Sequence, residues 1–375
     1  MKATHDQSNT SIASNDVIQT KTFNVRWYKS GDEKQIVELL DLVFDGWPKI
    51  DLQGSKLDYW RWKHQESIDK TDCVTLGVTP DGKIVGCLHA PLFKVKLGDT
   101  VQLFYQGVDL VVHPEYRRMG MYRKMDELYT DEYIAYNYTT NPIVMKKPIE
   151  NNRPRLPFIR KYVHFKDYAS TKGGKSSIIK RIGYKVVKTF NKTLYRNRSQ
   201  KEDISIREMN EFPIEVNEIG AITIEKTRFS LVKDQDYLNW RYCDTRGPKY
   251  RIRFAYKGEK LVGYCVSKNN LSDPSNPKGY VVDVGVLPEE TRAVEHLVSD
   301  AVETLHELGT NEVYMFIIRG HQYEKVVKSL GFVDSRSELF IWFGSLLDDR
   351  EALVRKALDT DPDKLDFQAG DLDII

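Results

Sequence analysis

The stretch Val108-Asp-Leu-Val-Val-His-Pro-Glu-Tyr-Arg-Arg-Met-Gly-Met-Tyr-Arg-Lys-Met125 holds the decisive pattern in this chain. Alternating apolar residues read as the end of a strand spanning about Val101 to Val112, and His113-Pro114 stops it because proline cannot donate to a ladder. A turn containing Arg117, Arg118, Met119, Gly120 and Met121 follows, and a helix is expected from Arg118 to about Glu132. A strand-turn-helix junction of this kind leaves backbone N–H groups pointing outward, which suits a phosphate. Gly120 lets the backbone approach an anion closely, and the arginines add charge and paired donors.

Working outward, the same order of features occurs twice. Asp58-Tyr59-x-x-Trp62 returns as Asp236-Tyr237-x-x-Trp240, and Lys83-Ile84-Val85-Gly86 as Lys260-Leu261-Val262-Gly263. Val108-Asp109-Leu110-x-Val112-x-Pro114 returns as Val282-Asp283-Val284-x-Val286-x-Pro288, and Phe165 as Phe332. Four ordered matches with a slowly drifting offset indicate an internal duplication, with copies at 23–170 and 203–345. Residues 1–22 read as a polar, disordered tail, and 346–375 as an acidic helix followed by a loosely held tail. Between the copies, residues 171–202 hold ten Lys or Arg around a stripe of Ile178, Ile182, Val186, Phe190 and Leu194, expected as a basic amphipathic bridging helix. A solvated bridge is the simpler reading of that stripe than docking to nucleic acid or a membrane surface.

The duplicated segments, and above all Arg117-Arg118-Met119-Gly120-Met121-Tyr122, resemble the GNAT acyltransferases, whose acetyl-CoA signature runs Arg/Gln-x-x-Gly-x-Gly/Ala between a strand and a helix. The resemblance covers about residues 23 to 343 as two tandem copies and implies an α/β fold with mixed sheets. It departs at Tyr122, where glycine or alanine is usual. It implies acetyl-CoA as co-substrate, held by Arg117 to Tyr122, with the strand backbone at Val111 and Val112 polarising the thioester carbonyl and Asn141 contacting the pantetheine arm. It further implies direct attack by an amine, a base for which Asp109 is the candidate, and an acid for which Tyr162 is the nearest phenol. Asp109 also reads as an ion-paired strand residue, since Asp283 repeats it, Tyr162 as a packing residue, and Asn141-Pro142 as an ordinary turn pair. In the second copy Glu289 and Glu290 stand where phosphates would sit and there is no glycine, so that copy is expected not to bind CoA. The aromatic helix Leu57 to His64 lines the acceptor cleft or packs a core.

Composition sets the remaining bounds. The 375 residues are 41% apolar and 29% charged, and 56 Lys plus Arg balance 54 Asp plus Glu, so the overall charge of +2 names no polyanionic partner. The four cysteines, Cys73, Cys87, Cys243 and Cys265, are dispersed, and no histidine spacing suggests a metal. With neither a signal-peptide core nor a long apolar run, a cytoplasmic location is expected. The reading at this point is an acyl-CoA-dependent N-acyltransferase whose acceptor is a small amine, an amino sugar or antibiotic, or a protein amine. The alternatives are a non-catalytic CoA sensor, a thiol or hydroxyl acceptor, or a longer acyl chain.

Overall fold

The computed structural model describes residues 22–50, 52–66, 73–129, 133–166, 185, 186, 189, 203–270, 277–344 and 348–372. The first half runs β1 (Asn24–Trp27), α1 (Glu33–Phe44), α2 (Lys56–Trp60) continued by a π turn at Arg61–Gln65, β2 (Val74–Val78), β3 (Ile84–His89), β4 (Leu92–Leu97), β5 (Thr100–Gln106), β6 (Val108–Val112), α3 (Met121–Asp126), β7 (Ile134–Thr139), α4 (Pro142–Glu150) and β8 (Ile159–Phe165). The second half runs β9 (Ile204–Met209), α5 (Val216–Lys226), β10 (Phe229–Leu231), α6 (Gln235–Cys243), β11 (Arg251–Lys257), β12 (Lys260–Asn270), β13 (Lys278–Val286), α7 (Arg292–Glu307), β14 (Glu312–Ile318), α8 (Tyr323–Ser329), β15 (Val333–Gly344) and α9 (Asp348–Leu358). Among the described residues no helix is long and apolar enough to cross a membrane.

Local chemistry accounts for the elements that place the site. Ile36, Leu39 and Leu40 of α1 are buried at helical spacing. Ser55 caps α2 by accepting from the Asp58 N–H at 3.1 Å. Gly82, at φ 88°, makes the turn between β2 and β3. The glycines repeated at 86 and 263 share one task, letting a helix lie on the sheet. A methyl group on Gly77 or Gly86 would collide with the Met121 sulfur of α3, and one on Gly263 would meet Val286 of the neighbouring strand at 2.7 Å before reaching Leu297 of α7 at 3.2 Å.

Four strands form a small sheet, ordered β1-β2-β3-β6, and eleven form a second, ordered β10-β4-β5-β7-β15-β8-β14-β13-β12-β11-β9. The continuous strand expected from Val101 to Val112 is therefore two strands in different sheets, broken at Gly107. There the chain leaves β5 beside β7, and a Cβ at Gly107 would make only ordinary contact, 3.7 Å, with Asn137 Oδ1. The helix expected to begin at Arg118 begins at Met121 and ends at Asp126, because Arg118 (φ 65°) and Gly120 (φ 76°) hold the preceding turn in left-handed conformations.

The duplicated halves are joined by exchange. The last strand of the first half, β8, pairs antiparallel with β14, while the last strand of the second, β15, pairs antiparallel with β7 of the first. Across the join, Trp62 Nε1–H donates to Trp240 O at 3.0 Å and Trp240 Nε1–H donates to Trp62 O at 3.2 Å. This reciprocal pair relates the two copies by an approximate two-fold operation.

The expected boundaries near 170 and 203 fall outside the described residues, as does most of the basic stretch 171–202. Its described members, Lys185, Val186 and Thr189, are helical and exposed. The loosely held C-terminal tail needs correction: after α9, Leu365, Phe367 and Leu372 are buried in the main core, and Ala369 is buried beside them. Apolar side chains at these positions outweigh the acidic composition around them.

Candidate functional site

In the first half β5 and β7 run parallel until Gln106 pairs with Tyr136, beyond which the strands part. The chain continues as β6, the outermost strand of the small sheet, so among the described residues no strand covers its free edge. The result is a wedge between β6 and the end of β7. At its mouth lies the turn Arg117–Gly120. The backbone N–H groups from Arg118 through Arg123 donate to no acceptor among the described residues. Left-handed Arg118 and Gly120 turn successive N–H groups to one side, the geometry of an anion-binding nest. Arg117, Arg118 and Met119 are exposed, and Arg117 Nε–H reaches back to Val112 O at 3.2 Å. Met121 is buried under α3 and fixes the turn to the sheet, while Tyr122 is half exposed and leaves the backbone accessible.

Asp109 occupies a bulge in β6 with φ 46°, opposite a register shift between Cys87 and His89 of β3. Its Oδ2 takes hydrogen bonds from Lys63 Nζ at 2.7 Å and His64 Nε2 at 3.2 Å, and its Oδ1 takes one from Trp47 Nε1 at 3.0 Å. Burial alone would push this carboxyl up, but the Lys63 ammonium and then His64 hold it well below the usual carboxylate range. A carboxylate so stabilised is a poor proton acceptor, so the geometry favours the structural reading of Asp109. Burial drives His64 down to about 4 despite Asp109, and keeps His89 neutral too. Trp60 Nε1–H donates to His89 Nε2 at 2.9 Å, which leaves the His89 proton on Nδ1 facing Asp109 O at 3.3 Å. His64, His89 and Asp109 bring ligand-type atoms within 4.8 Å of one another, but the Trp60 indole takes the His89 lone pair and three donors occupy Asp109. The cluster is a self-satisfied hydrogen-bond network.

The structure gathers Asp109, Val111, Val112 and the Arg117–Tyr122 turn around one wedge. Asn141 ends the facing strand and caps α4, its Oδ1 accepting from Ile143 N–H at 2.9 Å, which is the ordinary turn role. Tyr162 lies elsewhere. It is buried on β8 between β14 and β15, and its hydroxyl donates to Glu324 at 2.8 Å. The expectation of a phenol near the thioester assumed that β8 closes the first half, whereas the exchange carries it into the second. Sequence reading missed Lys63, whose role needs the π turn to face β6, and Gln106, which sits at the apex of the wedge.

The second half opens an equivalent wedge, since β13 and β14 part after Tyr280 pairs with Tyr314. Here the turn is closed. Glu290 N–H donates to Leu287 O at 2.8 Å, no residue from 287 to 293 has a positive φ, and the Glu290 carboxylate is held by Lys257 at 3.0 Å. The C-terminal segment fills part of the wedge. Gln368 Nε2 donates to Val284 O at 2.7 Å while the Val284 N–H donates to Gln368 Oε1 at 2.8 Å, imitating a strand on an open edge. Asp283, the counterpart of Asp109, is fully buried against Lys233 at 3.1 Å, and Lys233 also meets Asp371 at 2.9 Å. The equivalent acids of the two halves are thus both neutralised by a lysine.

Residues 24–151 match the family model described as "Acetyltransferase (GNAT) domain". No curated protein matches the sequence. Among solved structures, Saccharomyces cerevisiae N-myristoyltransferase with bound myristoyl-CoA superposes with a TM-score of 0.57 at 9% identity, covering 87% of this chain and 79% of that one. A conserved protein of unknown function from Enterococcus faecalis V583, described as a probable N-acyltransferase, gives 0.56 at 11% identity over 85% of this chain and 72% of that one. At these identities the structures share the fold with this chain, and the family match is confined to its first part.

Proposed function

We propose that this chain, whose residues 24–151 match the GNAT domain model, is an acyl-CoA-dependent N-acyltransferase. It takes acetyl from acetyl-CoA bound in the first wedge and passes it to an amine. The observation that carries this reading is the contrast between the wedges: the first offers unpaired backbone donors and a free strand edge where the second is closed and plugged. The N–H groups of Arg118 to Arg123, with the two arginines, hold the pyrophosphate. The free edge of β6 receives the pantetheine amides, as Val284 receives the Gln368 amide in the other half. The backbone at Val111 and Val112 faces the thioester carbonyl and stabilises the charge that develops there. Asp109 and Lys63 set the shape of the β6 bulge. Acetyl is supported over long chains because Phe104 and Tyr136 are fully packed at the wedge apex.

One observation favours a second reading, a CoA sensor without turnover: Tyr162 is remote and Asp109 is ion-paired, so neither candidate acid nor base is free. Calorimetry and thermal unfolding with acetyl-CoA and myristoyl-CoA test the proposal. One acetyl-CoA per chain, with CoA release once amines are added, supports acyl transfer. Binding without release across an amine library supports the sensor, and no binding of either acyl-CoA removes both.

A further inference from the structure

A groove runs between the two halves on the other side of β6. Its outer part, about 330 Å³, is lined by the Phe44–Ile50 segment, Tyr59, Lys63, Asp109, Arg241 and Pro248. Its inner part, about 30 Å³, shares Tyr59, Lys63 and Arg241 with the outer one and ends on Gln106, Trp62, Trp240 and Leu372. Gln106 is 1% exposed, and its Nε2 has no hydrogen-bond partner among the described residues. A buried amide donor left unmet is costly, and the group it awaits must bring an acceptor oxygen into that inner space.

Asp371 Oδ1, which also lines the inner part, has no hydrogen-bond partner among the described residues either, but lies 2.9 Å from the Lys233 ammonium. Lys63 is taken by Asp109, and Arg241 donates to the carbonyls of Gly370 and Leu372. What remains for a ligand is aromatic surface, from Trp47, Tyr59, Trp62 and Trp240. The rings of Trp47 and Tyr59 already carry the Lys63 ammonium at 5.9 and 5.7 Å, which disfavours a second cation against them and leaves the aromatic surface to an apolar ring. A polyamine would meet Lys49, Lys63 and Arg241 against two carboxylates, Asp109 and Asp371, each already facing a lysine. An amino sugar would bury several hydroxyls with only Gln106 Nε2 and Asp371 Oδ1 unsatisfied to receive them.

We infer that this groove is the acceptor site and takes a primary amine on an aromatic body, with an adjacent carbonyl oxygen received by Gln106 Nε2. The inference rests on the acyl-transfer reading and names its acceptor class. The outer space matches a ring-sized ligand, since small-molecule pockets begin near 300 Å³, and the inner space admits a single carbonyl group.

The test uses L-phenylalaninamide as probe, phenethylamine as the analogue without the carbonyl, and glucosamine and spermidine as the excluded classes. Because tryptophans line the groove, binding is read by intrinsic fluorescence of the full chain without acetyl-CoA, and turnover by CoA release. Phenylalaninamide is expected to quench saturably and to be the best acceptor. Gln106→Met should weaken it on the order of tenfold, the worth of one hydrogen bond, while leaving phenethylamine and the acetyl-CoA thermal shift unchanged. Gln106→Glu, which replaces the donor by an acceptor of similar shape, should weaken it at least as much. Preference for glucosamine or spermidine, absence of saturable quenching by phenylalaninamide, or an equal loss for both aromatic amines in Gln106→Met would overturn the inference. Failure of acetyl-CoA to bind would remove the acyl-transfer reading while the fluorescence titration still decides the groove's ligand class.

Discussion

The two wedges begin at equivalent places, after Gln106 meets Tyr136 in one half and after Tyr280 meets Tyr314 in the other, yet one turn holds residues in left-handed conformations and the other holds none. The differences are few. Gly120 and Arg118 stand in left-handed conformations where Glu290 and Thr291 close a tight turn, and the Leu110 backbone lacks the side-chain plug that Gln368 supplies to Val284. The two halves thus share a frame and differ at a handful of residues in the turn and on the strand edge. The acids at 109 and 283, the most conspicuous repeated polar residues, belong to the frame.

The largest effect is expected where the copies meet. Trp62→Ala removes a buried ring and the hydrogen bond to Trp240, and should cost about 3–5 kcal/mol in urea unfolding. A loss below about 1 kcal/mol would mean that the two-fold join contributes little. Next, wild-type protein at about 100 times the acetyl-CoA dissociation constant should gain roughly 2.7 kcal/mol. Gly120→Glu should abolish that gain without altering far-UV circular dichroism, because it strains the turn and sets a carboxylate where phosphate binds. A retained shift in this variant would place the ligand elsewhere.

A third experiment addresses the plug. Burial foremost, and then Asp283 and Asp366, push Asp371 up to about 7 against the pull of Lys233. The folded protein therefore holds a proton that the unfolded chain releases near the ordinary carboxyl value, so this contribution is full below about pH 4 and is lost as pH rises through about 7. Asp371→Asn should flatten that decline, whose slope is at most about 1.4 kcal/mol per pH unit. Parallel melting-temperature profiles for the two proteins would contradict it. The smallest effect belongs to the closed turn. Glu289→Ala should leave acetyl-CoA affinity and stoichiometry unchanged, and Glu290→Ala should cost less than about 1 kcal/mol through the lost Lys257 pair. Two acetyl-CoA molecules per chain would break the contrast between the copies.

Much of this was legible in the sequence because it is local. The strand-turn-helix around Gly120, the Ser55 cap and the Gly82 turn each depend on residues a few positions apart. The duplication was legible because equivalent residues do equivalent packing, Gly86 under Met121 and Gly263 under Leu297. What could not be read depends on contacts distant along the chain. Tyr162 was expected beside the thioester because nothing in KYVHF announces that β8 lies against β14, and the acidic C-terminus was expected loose because its partners, Lys233, Arg241 and Val284, lie far upstream. Lys63 and Gln106 carry no local pattern at all, and only the assembled groove gives them roles.

The exchange of β8 and β15 also sets a timetable for synthesis. The β15 partner of β7 leaves the ribosome roughly two hundred residues after β7 does, about 10–40 s at ordinary elongation rates. Throughout that interval the nascent first half exposes an unpaired strand edge, the kind that invites pairing with another chain. Neither half can complete its sheet alone, so the protein matures in a single late closure. Separately made halves are bound to seek each other, or a second copy of the same gene product, to finish the job.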